Sequence, residues 1–540
     1  MKNKKDILEN WKKIQERLKE NGKWIALAAG ILLVAVFWFI GYKTDIRLIL
    51  HGFSNRTLTA YCILTLLLLL FAALLAAFFI KGRQAKPEKL FLVCALVLGT
   101  VWMFLMPPLS APDEIVHYST AYQWSNRMLL IEPVDEDGLI RMRAEDAGAP
   151  FTILNSHTKE NYQVFFDALS EPCQDSSMVS FTYEPVKMGI FPYFPQAVGI
   201  TIGRLLHLGW AGTMLLGRLG NLLFFVFCMY QAIKRAPFGK MIFFVVSMLP
   251  MTQELVSSFS YDVVPFSLAA LFTAICFEDA YVKARIGRRE VAVLAVILMV
   301  MVPCKLVYVL LAGLCLLIPK EKFGSNRFYV ASAAAVVLLA AASLIISNMS
   351  TLNEYAGGSG NYIEWADSPG YTLDMLLSNP LHTAFLLLNT IRTQTGYYWG
   401  TMIGKKLGWL DVPINDLYIL GFSALLFLAA LKEEKEAPAI SRGKKAWCLV
   451  LCAGISFLVL LSMFLGWTPV GQIYIRGVQG RYFLPILPLF LLMLRNRKLT
   501  LGGSFVTEGG LDRGIVLTAI LMNAFAIQGA VTVMLWGGKP

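Results

Sequence analysis

Apolar residues fall in long blocks separated by short polar segments. Residues 24–42, 58–80, 90–106, 263–281, 328–347 and 446–465 are each close to the ~20 helical residues that cross a hydrocarbon core. Strand-like alternation at period two is absent, which excludes a membrane β-barrel. The pattern predicts an all-α integral membrane protein, a polytopic helix bundle. Lys and Arg cluster between the blocks, at 2–23, 81–89, 234–240, 283–289, 320–327, 432–445 and 495–498. The positive-inside rule places all of these in the cytoplasm. Threading the chain on that basis gives about 13 spans, with the N-terminus cytoplasmic and the C-terminus outside.

Composition agrees. Hydrophobic residues make up 56% of the chain and charged residues 16%, against about a quarter charged in soluble proteins. The net charge of +12 follows the topology and gives no reason to expect nucleic acid. Most of the nine cysteines lie in apolar blocks, Cys173 alone in a long polar loop, and no CxxC pair occurs. Structural disulfides and zinc are therefore not expected. The charged segment before the first apolar block is too long for a signal-peptide n-region, so that block is expected to remain as an anchor.

The chain divides into four parts. In residues 1–23, Ile7, Trp11, Ile14 and Leu18 share one helical face among lysines and an arginine. An amphipathic helix on the inner leaflet is expected there, the alternative being a solvated tail. Residues 24–106 hold three spans. Residues 107–211 form an outer loop with short interfacial helices; within it, 191–210 is only partly apolar and carries Arg204 and His207. Residues 212–540 form the remaining bundle, with a second outer loop at 348–415. There, 381–389 is too short to cross and runs into the polar, aromatic stretch 392–399. The segments 290–303 and 305–319 are short, and meet at an outer turn with Pro303 and Lys305. No internal repeat is evident, which disfavours an inverted-repeat transporter.

Candidate chemistry concentrates in PPLSAPDEIVHYSTAY, residues 107–122. Asp113 and Glu114 stand just past the outer end of a span, and His117 follows one helical turn later. Such a group suits removal of a hydroxyl proton or the holding of Mg²⁺ or Mn²⁺ by Asp113 and Glu114 against a phosphate. The plainer alternative is a helix N-cap by Asp113 with Glu114 in the first turn. A second set comprises charged and tyrosyl residues at the outer ends of spans: Tyr261 and Asp262, Lys305 and Tyr308, Arg481 and Tyr482. Ionisable groups at such depths pair with one another or face a polar cavity, and Lys and Arg there suit a lipid-linked phosphate. Snorkelling to headgroups is the alternative for each, as for Arg204 and Arg218.

Six segments, PPLSAPDEIVHYSTAY, PYFPQAVGITIGRLL, GRLGNLLF, SMLPMTQELVSSFSYDVVPFSLAAL, LGWLDVPIN and GRYFLPILPLFLL, occur in this order over about residues 100–495. Together they resemble the bacterial membrane family catalogued as domain of unknown function 2142. That family in turn resembles the GT-C glycosyltransferases, polytopic enzymes that take sugars from polyprenyl-phosphate lipids and carry a catalytic acid in the first outer loop. The resemblance implies Asp113 as general base, with Glu114 as its partner or a metal ligand. It implies His117 facing phosphate or acceptor, and Lys305, Arg481 and Arg392 binding donor phosphate. The acidic pair here follows the third span where the GT-C pattern has it after the first; an added N-terminal hairpin accounts for the difference.

The reading that results is a GT-C-type glycosyltransferase in a bacterial plasma membrane. It moves a sugar from a polyprenyl-phosphate donor to an envelope glycan or lipid acceptor on the outer face. The alternatives are a flippase for lipid-linked sugars and a non-catalytic subunit of a polysaccharide assembly.

Overall fold

The computed structural model describes residues 55–81, 85–152, 159–186, 188–356, 362–432, 434, 437–495, 501 and 509–536, and is predominantly helical. Six of its helices are long and apolar enough to cross a membrane: Pro87–Leu105, Trp210–Arg235, Val263–Tyr281, Asn326–Ile346, Arg442–Trp467 and Gly510–Ile527. Leu66–Ile80, Leu306–Leu317, Asp416–Leu431 and Gly480–Leu494 are shorter apolar helices. Lys240–Ser247 and Pro250–Val256 form a further pair, broken where Pro250 restarts the helix. The predicted amphipathic helix at 1–23 and the block at 24–42 lie outside the described residues.

Val263–Tyr281 is the central helix. It is apolar on every side, and 89% of it is buried, as expected of a helix without a polar face. Around it pack Trp210–Arg235, Arg288–Cys304, Leu306–Leu317 and Gly480–Ile486. Asn326–Ile346, by contrast, is only 22% buried, and Val330, Val337 and Leu338 point outward. It lies at the lipid-facing periphery.

Contacts among loops define two ends. At one, the basic segments meet. Arg235 pairs with Glu278, Lys322 donates to the carbonyls of Asp279, Ala280 and Lys283, and Lys444 donates to Leu317. Arg495 pairs with Glu434, whose carboxylate also receives the Gly239 amide. At the other end, the loop at 107–113 meets 257–262, Lys305 and the start of Gly480–Ile486.

The segment Leu306–Leu317, expected as a short span, is a 3₁₀ helix of 12 residues. At ~2.0 Å per residue it reaches about 24 Å, where an α-helix of that length reaches about 18 Å. Tyr308, Leu311, Leu314 and Leu317 are buried along it, at the spacing that a three-residue turn places in one straight row.

The first polar excursion folds into a small layer of its own. It contains the helices Glu114–Met128, Ala144–Thr152 and Lys159–Ala168, and an antiparallel pairing of Arg141–Arg143 with Met178–Ser180. Two further strand pairs, each two residues long, staple later loops. Ile115, Tyr118, Tyr122, Met142, Phe181, Tyr193 and Phe259 form its apolar centre. Arg143 and the Tyr122 hydroxyl both bond Asp146, and Arg204 bonds Ser125 and Asn126 while lying over the Tyr122 ring. Arg204 is thus held inside the protein and does not snorkel.

The partly apolar 191–210 segment becomes a 3₁₀ turn at Phe191–Tyr193 and the helix Phe194–Leu205, too short to span. It lies directly against Trp210–Arg235. A Cβ on Gly199 would sit 2.0 Å from the Leu216 carbonyl oxygen, and one on Gly220 2.1 Å from that of Pro195. Neither backbone oxygen can move aside. Gly220→Val is expected to destabilise the folded protein by about 1–3 kcal/mol through overpacking, read as a lower thermal midpoint in detergent. An unchanged midpoint would refute the close approach.

Candidate functional site

The site is organised by one buried ion pair. Glu114 opens the helix after the PPLSAPD turn, and Arg218 lies within Trp210–Arg235; neither side chain has any exposure. Arg218 Nε donates to Glu114 Oε1 and Nη2 to Oε2, both at 2.9 Å. The remaining guanidinium donors bond the carbonyls of Met106 at 2.6 Å and Pro107 at 2.8 Å, at the end of Pro87–Leu105. A cation suits that helix C-terminus. Glu114 is equally engaged: it accepts from the Ala111 amide at 3.0 Å and the Phe259 amide at 2.9 Å.

The Phe259 bond ties in the loop that carries Tyr261 and Asp262. Asn221 donates to the carbonyls of Ser258 and Ser260, and Gln196 to those of Phe259 and Ser260. Held this way, the loop presents Asp262 to two cations. Lys305 Nζ donates to Asp262 Oδ1 at 2.7 Å, and Arg481 Nε lies 3.3 Å from Oδ2. Lys305 also lies 4.0 Å above the Tyr482 ring and 5.2 Å from that of Tyr261. Tyr308 donates to the Tyr482 carbonyl, which fixes the backbone beside Arg481. The predicted second set therefore converges, and with one carboxylate against two cations it carries a net positive charge.

Arg481 is the exceptional member. It is 8% exposed, and its Nε, though close to Asp262, has no hydrogen-bonding partner. The guanidinium makes no hydrogen bond with any described residue. A buried charged donor without an acceptor costs about 1–3 kcal/mol or more. Such a group is explained where an anionic ligand completes it. Gly480 allows its position, since a Cβ there would lie 2.2 Å from both the Tyr398 oxygen and the Met402 nitrogen.

His117 lines the same site. Its Nδ1 is 3.0 Å from the Tyr193 hydroxyl, and its ring packs 4.8 Å from that of Tyr261. Burial pushes its pKa down to about 4, so the imidazole is neutral at physiological pH. Asp113 adopts a left-handed conformation, φ 57°, which Asp tolerates better than most residues. Its carboxylate is exposed and makes no cap bond. It bonds no described residue, yet lies close enough to Tyr193 and Arg481 to interact electrostatically with both. The plain N-cap is thus not what is built.

Glu114 is fully engaged by Arg218 and two amides, while the neighbouring Asp113 carboxylate bonds no described residue. Among the described residues no group of three or more His, Cys, Asp and Glu side chains could hold a metal ion. Arg392 is exposed on the Pro380–Ile403 helix, and no contact joins it to the cluster. Sequence reasoning also passed over two residues. Tyr193 carries no signal beyond its aromatic ring. Glu254 was more accessible, as a lone carboxylate in an apolar stretch. It is buried, accepts the Gly408 amide, and lines a small cleft with Pro112 and Arg481.

Over residues 96–490 the chain matches the protein family described as "Predicted membrane protein (DUF2142)". No curated protein and no solved structure matches it.

Removing one partner of the buried pair leaves the other charge uncompensated. Arg218→Met is expected to cost about 3–5 kcal/mol of stability, and Glu114→Gln with Arg218→Met together less than the sum of the two singles. Additive losses in thermal unfolding would refute the coupling. His117 gives a pH dependence. With an unfolded value near 6.5 and a folded value of about 4, the unfolded state binds more protons between them. Stability is therefore full above about pH 6.5 and declines as pH falls toward 4. His117→Gln should flatten the thermal-midpoint profile in that window.

Proposed function

We propose, for a chain that belongs to the DUF2142 family of predicted membrane proteins, that it is a GT-C-type glycosyltransferase using a lipid-phosphate sugar donor. The observation that carries the reading is Arg481, a buried guanidinium without a hydrogen bond, next to Lys305 and within electrostatic reach of the unpartnered Asp113 carboxylate. Arg481 and Lys305 bind the donor phosphate. Asp113 takes the proton from an acceptor hydroxyl as its oxygen bonds to the anomeric carbon. The sugar–phosphate C–O bond breaks, and its electrons leave with the phosphate, where the two cations stabilise the added charge. Asp262 orients both cations, and neutral His117 adds a polar contact without adding charge. The positive-inside rule puts the basic end in the cytoplasm and this site on the outer face of a bacterial plasma membrane, where a glycan or lipid acceptor would be met.

A flippase would need its ionisable residues along a path through the bilayer. Here Asp113, Asp262, Lys305 and Arg481 gather at one end, while the middle of Val263–Tyr281 is apolar. That placement favours transfer at a surface. A non-catalytic subunit would tolerate loss of Asp113.

The test is Asp113→Asn in purified protein in nanodiscs, supplied with polyprenyl-phosphate sugars and acceptor, with and without Mg²⁺ or Mn²⁺. Asn accepts the same left-handed backbone, so the substitution removes charge and leaves the turn intact. Release of lipid phosphate is expected to fall by about 10²–10⁴-fold with donor affinity retained. Turnover unchanged from wild type would sink the mechanism. Sugar crossing liposomes without a new glycosidic bond would favour the flippase.

A further inference from the structure

At the basic end of the bundle, opposite Asp113 and Arg481, a groove of about 240 Å³ opens among Arg288–Cys304, Leu306–Leu317 and Asn326–Ile346. Leu294, Ala312 and Val336 line its walls, and Phe323 and Tyr329 stand where it meets the basic loops. Its mouth faces the bilayer, since Leu316 and Val337, which both line it, are each 62% exposed. The Ser332 hydroxyl donates to the Phe328 carbonyl, so the lining is apolar in effect. From Tyr329 to Val337 the groove follows its helix for about 12 Å. That is within the ~15 Å of hydrocarbon in one leaflet, so the groove admits a chain from one side of the membrane only.

The two loops at its inner end, 283–290 and 320–327, hold seven basic residues against two acidic ones. Two of the cations are committed. Lys283 pairs with Asp279 and Glu290, and Lys322 donates to three main-chain carbonyls. Arg285, Arg288 and Arg327 are exposed, and their guanidinium groups bond no described residue. Arg285 is joined to the groove on both sides. It precedes Ile286, a lining residue whose amide donates to the Lys322 carbonyl. Its guanidinium also lies over Gly324, the residue after Phe323, where a Cβ would stand 3.3 Å from Nη2. Arg288 stands one helical turn before Val291, which lines the groove as well.

We infer that this groove is a binding site for an anionic phospholipid of the leaflet at the basic end, the cytoplasmic one under the positive-inside rule. One acyl chain lies between Leu294, Leu316 and Val336, and the phosphate sits on Arg285, flanked by Arg288 and Arg327. A guanidinium binds phosphate oxygens two at a time, and basic pockets between membrane helices suit acidic headgroups. A zwitterionic lipid would fill the same groove, but its own cation would meet three unpaired arginines. Asn326–Ile346, only 22% buried against protein, would gain a packing partner from the bound chain. The site shares no residue with the outer-face cluster, so it stands whether or not the chain transfers sugar.

The test uses the full chain in phosphatidylcholine nanodiscs titrated with phosphatidylglycerol, with retained lipid read by native mass spectrometry. One phosphatidylglycerol is expected to bind at least tenfold more tightly than phosphatidylcholine. Arg285→Gln with Arg327→Gln should weaken it tenfold or more and leave phosphatidylcholine within twofold. Ala333→Phe narrows the groove and should weaken phosphatidylglycerol tenfold as well. Should that variant fail to fold, phosphatidylglycerol with a photoreactive acyl chain should label Leu316 and Val337 of the wild type. Equal affinity for the two lipids, an arginine variant that binds like wild type, or labelling confined to Leu381 and Phe385 would overturn the inference. Displacement by millimolar inorganic phosphate would also overturn it, by showing an ion site that takes no chain.

Discussion

The Glu114–Arg218 pair is the constraint on which the active end of the bundle depends. Removing two charges from water costs several kcal/mol each, and mutual attraction offsets this only if the other donors and acceptors are also satisfied. Here they are. The guanidinium takes the carboxylate in a two-pronged bond and uses its remaining donors on the carbonyls of Met106 and Pro107. The carboxylate takes the amides of Ala111 and Phe259. One pair thus ties the end of one membrane helix, the turn bearing Asp113, and the loop bearing Asp262 to a fourth element. Loosening it would at once shift the proposed base and the anchor of the two cations proposed to bind phosphate.

Arg481 makes the opposite use of the same chemistry. Both arginines are buried, and both lie beside a carboxylate. Arg218 is surrounded by acceptors; Arg481 has Asp262 nearby but no hydrogen bond. A protein that completes one guanidinium so fully does not lack the means to complete another. The difference separates Arg218, a fixed joint, from Arg481, whose ion pair with Asp262 leaves its donors without a hydrogen bond.

The parts of the site that the sequence revealed were ionisable residues in apolar surroundings. Asp262, Lys305 and Arg481 stood out for that reason, and they meet. The role of Glu114 was not legible, because its partner lies 104 residues away and nothing local distinguishes a carboxylate that binds a metal from one that binds an arginine. Arg392, exposed on its helix, has a related ambiguity. An exposed basic residue near the membrane surface has the same local pattern as a ligand-binding one, and only tertiary contacts separate the two. In the fold, 381–389 reads as too short to cross. The polar residues after it continue the same helix to Ile403, because their side chains can face loops and headgroups while the backbone stays helical. The 3₁₀ form of Leu306–Leu317 was not legible, because nearly every residue in it is apolar and only the structure shows which side chains are buried.

That 3₁₀ segment sets a phase. Lys305 stands at its head, and the row Tyr308, Leu311, Leu314 and Leu317 keys it into the bundle. With three residues to the turn, inserting or deleting one residue between Lys305 and Leu317 would rotate the lysine by about a third of a revolution relative to that row. Over evolutionary time, this stretch can change length only in threes without turning the ammonium away from Asp262. Outward-facing side chains such as Leu306 and Leu316 can vary here while the spacing does not.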